Sequence, residues 1–214
     1  PVTLNTTTFN AYYVEAAAHY AFKIDANGYK IATVRSIHGI ADGTYFIADY
    51  TGPYKDYLCK ELTASSTPTA ATCKTQPSVT PCKGYSPYNN CMAYNVATKT
   101  WTLNGTSFAP GIIWFEGNLT MGNGVYYGSF IATGTISTAG SLKIYAVNFA
   151  GYNGKRGTTT YAPTGICVNS YFPGLYPTDY CGADGSAFTS PNDSIIGHYA
   201  LLAGSYDLSH SYVG

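Results

Sequence analysis

Short apolar runs separated by glycine are the main pattern of this chain, and they are densest between residues 111 and 151. Intervals of six, eleven, six and six residues separate Gly111, Gly117, Gly128, Gly134 and Gly140. No helix of ordinary length fits such intervals, whereas strand-sized runs with glycine corners form the rungs of a coil. The segment predicts a parallel β-helix or a related stack of sheets. Periodicity alone leaves an antiparallel meander with glycine turns as the alternative.

Alternating apolar and polar positions predict further strands. Lys30–Ile37 and Thr44–Tyr50 flank the turn Ala41-Asp42-Gly43 and predict a hairpin. Ala93–Leu103 predicts a second strand, turn and strand that lead into the glycine-spaced segment. Ser194–Gly214 again has short apolar runs broken by glycine, and we interpret it as another rung or the edge of the stack.

The first 24 residues differ from the rest. Pro1–Thr8 alternates apolar and polar residues and predicts an extended arm. Phe9–Phe22 is rich in alanine and predicts one short α-helix, for which Thr8 offers an N-cap.

The predicted fold class is therefore mainly β, with a β-helix-like or stacked-sheet domain, one short N-terminal α-helix and disulfide-stapled loops. The predicted organisation is an arm and helix over residues 1–24 and an all-β domain over residues 25–214. That domain contains a stapled loop region at 59–91 and the glycine-spaced repeats at 105–151.

Composition narrows the function classes. Only 10% of the residues are charged, and 11 acidic side chains balance 11 basic ones. Such a neutral surface argues against binding to nucleic acid, whose phosphates need a basic face, and against electrostatic docking on anionic lipid. The polarity comes instead from Thr, Ser, Asn, Gly and 22 Tyr, a mixture typical of extracellular proteins.

Six cysteines indicate an oxidising compartment. They are even in number and lack the close CxxC pairs of zinc sites. Their spacing favours the local pairs Cys59–Cys73, Cys82–Cys91 and Cys167–Cys181, although six cysteines allow about 15 connectivities and free buried thiols are the alternative. Disulfides place the chain in a secreted or cell-surface location.

The segment from Thr63 to Thr80 predicts a surface loop, because 9 of its 18 residues are Ser or Thr and it has little apolar content. Its composition suits O-glycosylation and equally an unmodified polar loop. Asn5, Asn104, Asn118 and Asn192 each begin an N-x-Ser/Thr triplet, which is the acceptor pattern for N-linked glycans.

The chain has no signal peptide and no apolar span long enough to cross a membrane, and it begins at Pro1 without a methionine. We expect a processed chain or fragment from which any export signal or membrane anchor has been removed.

A family resemblance rests on Pro110–Ile136, PGIIWFEGNLTMGNGVYYGSFIATGTI. This phrase resembles the C-terminal repeat of PilX-type, type IV pilus-associated surface proteins, and similar glycine-spaced rungs occur in bactofilin-like polymer-forming proteins. Tyr12–Ala18 is also similar to the AFYAAEAG element of such pilin-like proteins, although Ala17-Ala18 replaces its Ala-Gly ending. The resemblance covers roughly 60 of the 214 residues and rests on the spacing of the repeats. It implies an extracellular assembly or adhesion role, and it carries no catalytic residues across.

Few residue patterns in this chain indicate catalysis or ligand binding. The sequence has no nucleophile elbow, Walker loop or dinucleotide fingerprint. Trp114, Glu116 and Tyr126 place a carboxylate beside aromatic rings, and they define the alternative hypothesis of a carbohydrate-binding or carbohydrate-active β-helix module. In that hypothesis the ligand is a glycan. The alternative is that the Glu116 side chain points outward into solvent and alternates with a buried Phe115.

Metal and cofactor chemistry is not predicted. The histidines at 19, 38, 198 and 210 have no zinc-ligand spacing, although His198 and His210 lie near Asp207. The exceptions are a metal site formed by His198 and His210 with Asp207, and a structural calcium ion whose oxygen ligands come from Asp42 and Asp49 or from Asp179, Asp184 and Asp193.

The expected function is an extracellular structural subunit of a bacterial surface filament or pilus-associated assembly, with adhesion as a further role and no enzymatic activity. We expect a homo-oligomer or filament. The arm residues Val2 and Leu4 would add a strand to the next subunit, and Tyr12 and Tyr13 would contribute to the interface. Aromatic residues also occur as the pairs Tyr12-Tyr13 and Tyr126-Tyr127 and as a cluster of Tyr171, Phe172, Tyr176 and Tyr180, and they suit core packing, subunit contacts or sugar stacking.

Overall fold

A computed structural model describes residues 10–50, 56–77, 79–84, 90–150, 154–156, 159–161, 165–183, 185 and 195–204. Within these residues the fold is mainly β, as the sequence predicts. The strands are β1 Tyr20–Ile24, β2 Lys30–Val34, β3 Gly43–Ala48, β4 Tyr57–Cys59, β5 Cys82–Gly84, β6 Met92–Asn95, β7 Thr100–Leu103, β8 Gly105–Phe108, β9 Gly111–Phe115, β10 Asn118–Met121, β11 Gly124–Ala132, β12 Ile136–Thr138, β13 Leu142–Tyr145, β14 Gly154–Arg156, β15 Thr159–Tyr161 and β16 Leu201–Ala203. The helices are α1 Val147–Ala150 and the 3₁₀-helices Ala11–Ala17 and Ile195–His198.

Two sheets contain most of the strands. The larger has eight strands in the order β13-β11-β9-β1-β2-β3-β4, with β16 also paired to β11. Its β13, β11, β9, β1 and β16 pair in parallel, whereas β1 to β4 form antiparallel neighbours. The smaller sheet has the order β12-β10-β7-β6, parallel except for the hairpin of β6 and β7. The predicted hairpins at 30–50 and 93–103 are therefore both present.

The glycine-spaced segment turns through both sheets and returns parallel to itself. Gly128 pairs with Gly111, and Ile136 pairs with Leu119, each 17 residues further along the chain. One circuit uses β9, β10 and the first half of β11, and the next uses the second half of β11, β12 and β13. Because these pairs are parallel, the segment is not an antiparallel meander.

Glycine is required where successive circuits approach most closely. Gly117, between β9 and β10, has a φ of +107°, and a Cβ there would collide with the carbonyl oxygen of Lys99. A Cβ on Gly128 would lie 2.7 Å from the carbonyl oxygen of Gly111 and 2.7 Å from Ile113 Cδ1. Both positions therefore allow backbones to stack at distances that a side chain would prevent.

Strand β9 of the large sheet is covered on both faces, because all five of its residues are buried. Ile113 and Phe115 point into an inner core of aromatic rings, where the rings of Phe22 and Phe115 stack at 5.0 Å. Ile112 and Trp114 point the other way into an outer cluster beneath the first 3₁₀-helix and the segment around Cys167–Cys181. This alternation follows from the two-residue period of a strand.

The N-terminal helix differs from its prediction in type and length. It is a 3₁₀-helix that ends at Ala17, capped by Asn10, whose Oδ1 accepts a hydrogen bond from the Tyr12 amide at 2.9 Å. The predicted cap Thr8 lies outside the described residues. Tyr20–Ile24 forms strand β1 instead of the predicted helix end, because it pairs with β2 and β9 and buries alternate rings in the inner core. Tertiary pairing here overrides helix propensity, and β1 belongs to the large sheet and not to a separate N-terminal unit.

The predicted disulfides Cys59–Cys73, Cys82–Cys91 and Cys167–Cys181 are all formed. Cysteine pairs of this kind are typical of proteins in oxidising compartments. Among the helices that the structure describes, none has the length and apolar character needed to cross a membrane.

Candidate functional site

The segment closed by Cys167–Cys181 docks against the turn that follows β2. His38 N donates to the Tyr176 carbonyl oxygen at 2.9 Å, and Thr178 N donates to the Ser36 carbonyl oxygen at 2.8 Å. Below this contact, His19 Nε2 lies 2.8 Å from Asp179 Oδ1. The disulfide and these bonds fix a segment that has no regular secondary structure of its own.

A cavity of about 840 Å³ lies between this segment and β11. Its described lining consists of His38, Tyr127, Cys167, Val168, Asn169, Ser170, Tyr171, Pro173, Gly174, Tyr176, Ala183 and Gly185. None of these residues is Asp, Glu, Lys or Arg. The lining residues that the structure describes therefore carry no formal charge, and the volume of the cavity falls in the usual range for small-molecule sites.

Two glycines make room for the tyrosine rings of the cavity. A Cβ on Gly165 would collide with the ring of Tyr127, and one on Gly185 would lie 2.7 Å from Tyr176 Cε1. Tyr176 is held further by its hydroxyl, which donates to the Ala183 carbonyl oxygen at 2.9 Å. Tyr171 is 53% exposed, so it offers its ring to a ligand.

His38 presents a defined hydrogen-bonding edge at the cavity. Its Nδ1 lies 2.7 Å from the Gly174 carbonyl oxygen, which only accepts, so Nδ1 carries the hydrogen. In the neutral ring Nε2 is then an acceptor. The ring stacks on Tyr176 at 4.6 Å with an interplanar angle of 3°.

An aromatic pair extends this surface along the sheet. Tyr127 and Tyr145 are register partners on β11 and β13, and their rings stack at 5.1 Å. Tyr145 is 45% exposed. Because Tyr127 also lines the cavity, the stacked pair adjoins it.

The three residues of the carbohydrate hypothesis do not form a groove. Trp114 and Tyr126 are both 0% exposed and lie in different clusters, the outer cluster and the inner core respectively. The Trp114 indole donates to the Ala11 carbonyl oxygen at 2.7 Å, and the Tyr126 hydroxyl donates to the Gly105 carbonyl oxygen at 2.9 Å. Neither ring face is available to a sugar, so this part of the prediction is wrong.

Glu116 is half-buried, and its carboxylate lies near the ring of Tyr94. Burial raises the pKa of the Tyr94 hydroxyl, and the nearby Glu116 carboxylate raises it further. The Glu116 carboxylate thus affects the pKa of Tyr94, and Glu116 is not among the residues that line the cavity.

The four predicted interface residues differ in whether the structure describes them and in how exposed they are. Val2 and Leu4 lie outside the described residues. Tyr12 is half-buried and packs edge-on against Trp114, with ring centroids 6.2 Å apart. Tyr13 is 84% exposed, so its side chain is available for a subunit contact.

The calcium candidates are not brought together where they are described. Asp42 Oδ1 accepts from the Ser36 amide at 2.9 Å, and Asp179 is bonded to His19. Asp184 and Asp193 lie outside the described residues, as do Asp207 and His210. His198 Nδ1 lies 2.9 Å from Asn148 Nδ2.

One cluster of metal-binding residue types occurs in the part of the chain that the structure describes: Asp56, Cys82 and Cys91. Both cysteines are consumed by their mutual disulfide. Since a disulfide sulfur lacks the thiolate charge that holds a metal ion, this cluster does not fit a metal site.

The glycosylation triplets are also distinguished by their surroundings. Asn118 Oδ1 accepts from the Thr135 amide at 2.9 Å, and its Nδ2 donates to the Thr98 carbonyl oxygen at 3.0 Å. Its amide is therefore used to join successive circuits. Asn104, in contrast, lies exposed in the turn between β7 and β8.

Sequence reasoning found part of the cavity. The tyrosine cluster at 171–180 was a sequence signal, and Tyr171 and Tyr176 line the cavity. His38 was missed, and Tyr127 was noted only as part of the pair Tyr126-Tyr127, because neither residue lies near the disulfide segment in the sequence. Only the folded chain brings them beside it.

Comparison with protein-family models, with curated proteins and with solved structures finds no match to this chain. The resemblance to pilus-associated proteins therefore stays a prediction. Fold and site together define a mainly β, disulfide-stapled protein with a tyrosine-lined cavity.

Proposed function

We propose that this protein is an extracellular adhesive subunit that binds a neutral carbohydrate in the tyrosine-lined cavity. One observation carries the proposal: three tyrosines and a histidine line a cavity of about 840 Å³ that has no charged side chain among its described lining residues. The proposal keeps the adhesive role expected from the sequence and moves the glycan site away from Trp114.

The chemistry of the lining favours a sugar over other neutral ligands. Tyrosine combines an apolar ring face with a polar tip, which matches the apolar face and hydroxyl rim of a pyranose. Tyr171 supplies an accessible ring, and His38 Nε2 supplies an acceptor for a sugar hydroxyl. An anionic or cationic ligand would find no countercharge on the described lining.

The lining also favours binding over hydrolysis. Glycosidases use two carboxyl groups placed across the scissile bond. The described residues of the cavity include no Asp or Glu, and Glu116 does not line it. We therefore propose a binding module and not an enzyme.

The location of the protein is part of the proposal. Three disulfides and a charge-poor surface rich in tyrosine support secretion to the cell surface, where glycans are abundant. The resemblance at Pro110–Ile136 supports a pilus-associated or filament assembly as the setting.

A glycan array with neutral and charged oligosaccharides tests the proposal. We expect binding to neutral glycans, weakened roughly tenfold by Tyr171→Ala through loss of ring stacking. Tyr199→Ala is the matched control, since Tyr199 is 49% exposed and lies outside the cavity lining. Equal effects of both substitutions, or preference for charged glycans, would contradict the proposal.

A second role, as a structural subunit, is favoured by Tyr13. A tyrosine that is 84% exposed suits a protein contact better than solvent, because aromatic residues are enriched at interface centres. Electron microscopy and sedimentation of the natural material test this role. If Tyr13→Ser assembles as well as the wild-type chain, Tyr13 does not support a structural role.

A further inference from the structure

Lys30 and Asp56 form a largely buried ion pair, and neither residue lines the tyrosine-lined cavity. Lys30 Nζ lies 2.8 Å from Asp56 Oδ1, and their side chains are 19% and 0% exposed. Removing two charges from water costs several kcal/mol, and pairing offsets only part of this cost. Condensation would remove both charges from the interior. We propose that Lys30 Nζ and Asp56 Cγ form an intramolecular amide bond.

The other carboxylate oxygen of Asp56 is held as an oxyanion would be. The backbone N–H groups of Cys91 and Met92 donate to Asp56 Oδ2 at 2.9 and 3.1 Å. Two fixed donors to a side chain that is 0% exposed stabilise the negative charge that develops on a carboxyl oxygen under attack. Oδ2 therefore becomes the amide oxygen, and Oδ1, which faces the amine, is the oxygen that leaves.

The step balances within the pair. Transfer of one proton from the ammonium of Lys30 to Oδ1 of Asp56 gives a neutral amine and a carboxylic acid. The amine lone pair attacks Cγ and forms the C–N bond. A second proton passes from nitrogen to Oδ1, the Cγ–Oδ1 bond breaks, and water leaves. No oxidant, reductant or co-reactant is needed, and the net charge of the chain is unchanged.

Asn90 lies where it stabilises the leaving oxygen. Its Nδ2 is 3.3 Å from Asp56 Oδ1 and 3.2 Å from Asp49 Oδ1. The amide thus donates to the oxygen that departs and connects it to a second carboxylate. A cavity of about 60 Å³ lined by Lys30, Asp49, Asp56 and Asn90 adjoins the pair, with room for the released water.

The backbone of Asp56 is also held in an uncommon conformation. Its φ is +61°, in the left-handed region that residues other than glycine rarely adopt. Such strain persists where the surroundings fix it, and it concentrates at sites with chemistry. Here the fixed φ keeps the carboxyl group aimed at the amide donors of Cys91 and Met92.

The bond would connect β2 to the residue before β4, across β3. It lies beside the Cys82–Cys91 disulfide, so the two covalent links together would hold one end of the large sheet. This inference is independent of the proposed glycan site.

Intact mass of the folded, full chain tests the bond. After correction for the six hydrogens lost to disulfides, we expect the mass to fall by one water. Digestion after reduction should release one branched peptide that contains both Lys30 and Asp56, which fragmentation locates. This second step separates the proposed bond from cyclisation at Asp42-Gly43, which also loses water.

A second ion pair in the same chain is the internal control. Lys74 Nζ lies 2.6 Å from Glu61 Oε2, closer than the proposed pair, but both side chains are exposed, at 60% and 65%. We expect no branched peptide there. Lys30→Arg keeps the positive charge but lacks a nucleophilic amine, so it should recover the missing water.

Three outcomes would overturn the inference. The first is a wild-type chain with the full, uncondensed mass, which decides the matter even if variants fail to fold. The second is a loss of ammonia instead of water, with Lys30 joined to Asn90. The third is a branched peptide at Lys74 and Glu61 as well, since condensation would then need neither burial nor the amide donors.

Discussion

His19, the residue before β1, and Asp179 join the large sheet to the disulfide segment that forms the cavity wall. Ile112 N donates to His19 Nδ1 at 2.8 Å, so the hydrogen of the neutral ring lies on Nε2, which donates to Asp179 Oδ1 at 2.8 Å. His19 is 2% exposed, and Asp179 lies 160 residues away in the sequence. One imidazole therefore connects the sheet backbone to the disulfide segment, in addition to the backbone hydrogen bonds at Ser36 and His38.

We expect His19→Ala to lower the free energy of unfolding by about 2–3 kcal/mol, because the buried Ile112 amide loses its acceptor and a cavity replaces the ring. Asp179→Asn keeps an acceptor oxygen and should cost less than about 1 kcal/mol. Urea denaturation measures both. A loss for Asp179→Asn as large as that for His19→Ala would show that charge, and not the hydrogen-bond geometry, holds the contact.

Tyr20→Phe should stabilise the protein. The Tyr20 side chain is 0% exposed, and its hydroxyl has no hydrogen-bond partner among the residues that the structure describes. Removing it should raise the free energy of unfolding by about 1 kcal/mol. Tyr126→Phe is the matched control, since it deletes a bond to Gly105 and should lower stability by about 1 kcal/mol. Destabilisation of both variants would mean that Tyr20 has a partner.

Stability should fall at alkaline pH. Burial raises the pKa of Tyr20, and burial followed by the Asp179 carboxylate raises the pKa of Tyr180. Above about pH 10 the unfolded chain releases these protons while the folded chain keeps them, so stability is present below that pH and is lost as pH rises beyond it. Denaturation between about pH 8 and about pH 11 measures the slope. Tyr20→Phe should show a shallower loss, and an unchanged slope would exclude Tyr20 as a contributor.

Gly128→Ala should disrupt the stacking of successive circuits. Its Cβ would lie 2.7 Å from both Gly111 O and Ile113 Cδ1, so the backbone must shift, at a cost of about 1–3 kcal/mol. Gly122→Ala places its Cβ at 3.4 Å from Leu103 O and should change stability by about 0.5 kcal/mol or less. Thermal unfolding compares the two, and equal effects would contradict close stacking at Gly128.

Removal of the Cys167–Cys181 bridge should affect stability and binding together. The cysteines are 14 residues apart, and opening a loop of this size costs about 3 kcal/mol in the chain-entropy model. Replacing both by Ser should also weaken glycan binding, because Tyr171 and Tyr176 lie within the loop. The Cys59–Cys73 double variant, of equal separation, is the control and should leave glycan affinity unchanged.

Local patterns predicted much of the fold. The hairpins at 30–50 and 93–103 could be predicted because alternating apolar and polar residues are typical of a strand with one buried face. The disulfide pairs were preferred from spacing, since nearby cysteines meet at low entropic cost. Phe9–Phe22 was mispredicted because its alanines favour a helix locally, while the pairing of β1 with β2 and β9 depends on residues that lie far along the chain.

The site was predicted less well than the fold. Trp114 and Tyr126 have the residue types of a sugar site, but alternation gives no sign of whether a strand face meets solvent or a second layer. Here β9 is covered on both faces, so a ring that looked like a ligand platform is part of the outer cluster. The tyrosines near Cys167 were recognised, but their partner His38 was not.

By itself the sequence determined the elements that depend on near neighbours: the strand periods, the glycine corners, the local disulfides and the neutral, tyrosine-rich composition. The tertiary structure decided which faces are buried and which distant groups meet. The pairs His19–Asp179 and Lys30–Asp56 are examples, and so is the cavity that Tyr127 and Tyr171 line together. They depend on how circuits and sheets stack, and that packing minimises the free energy of the whole chain, which no local pattern records.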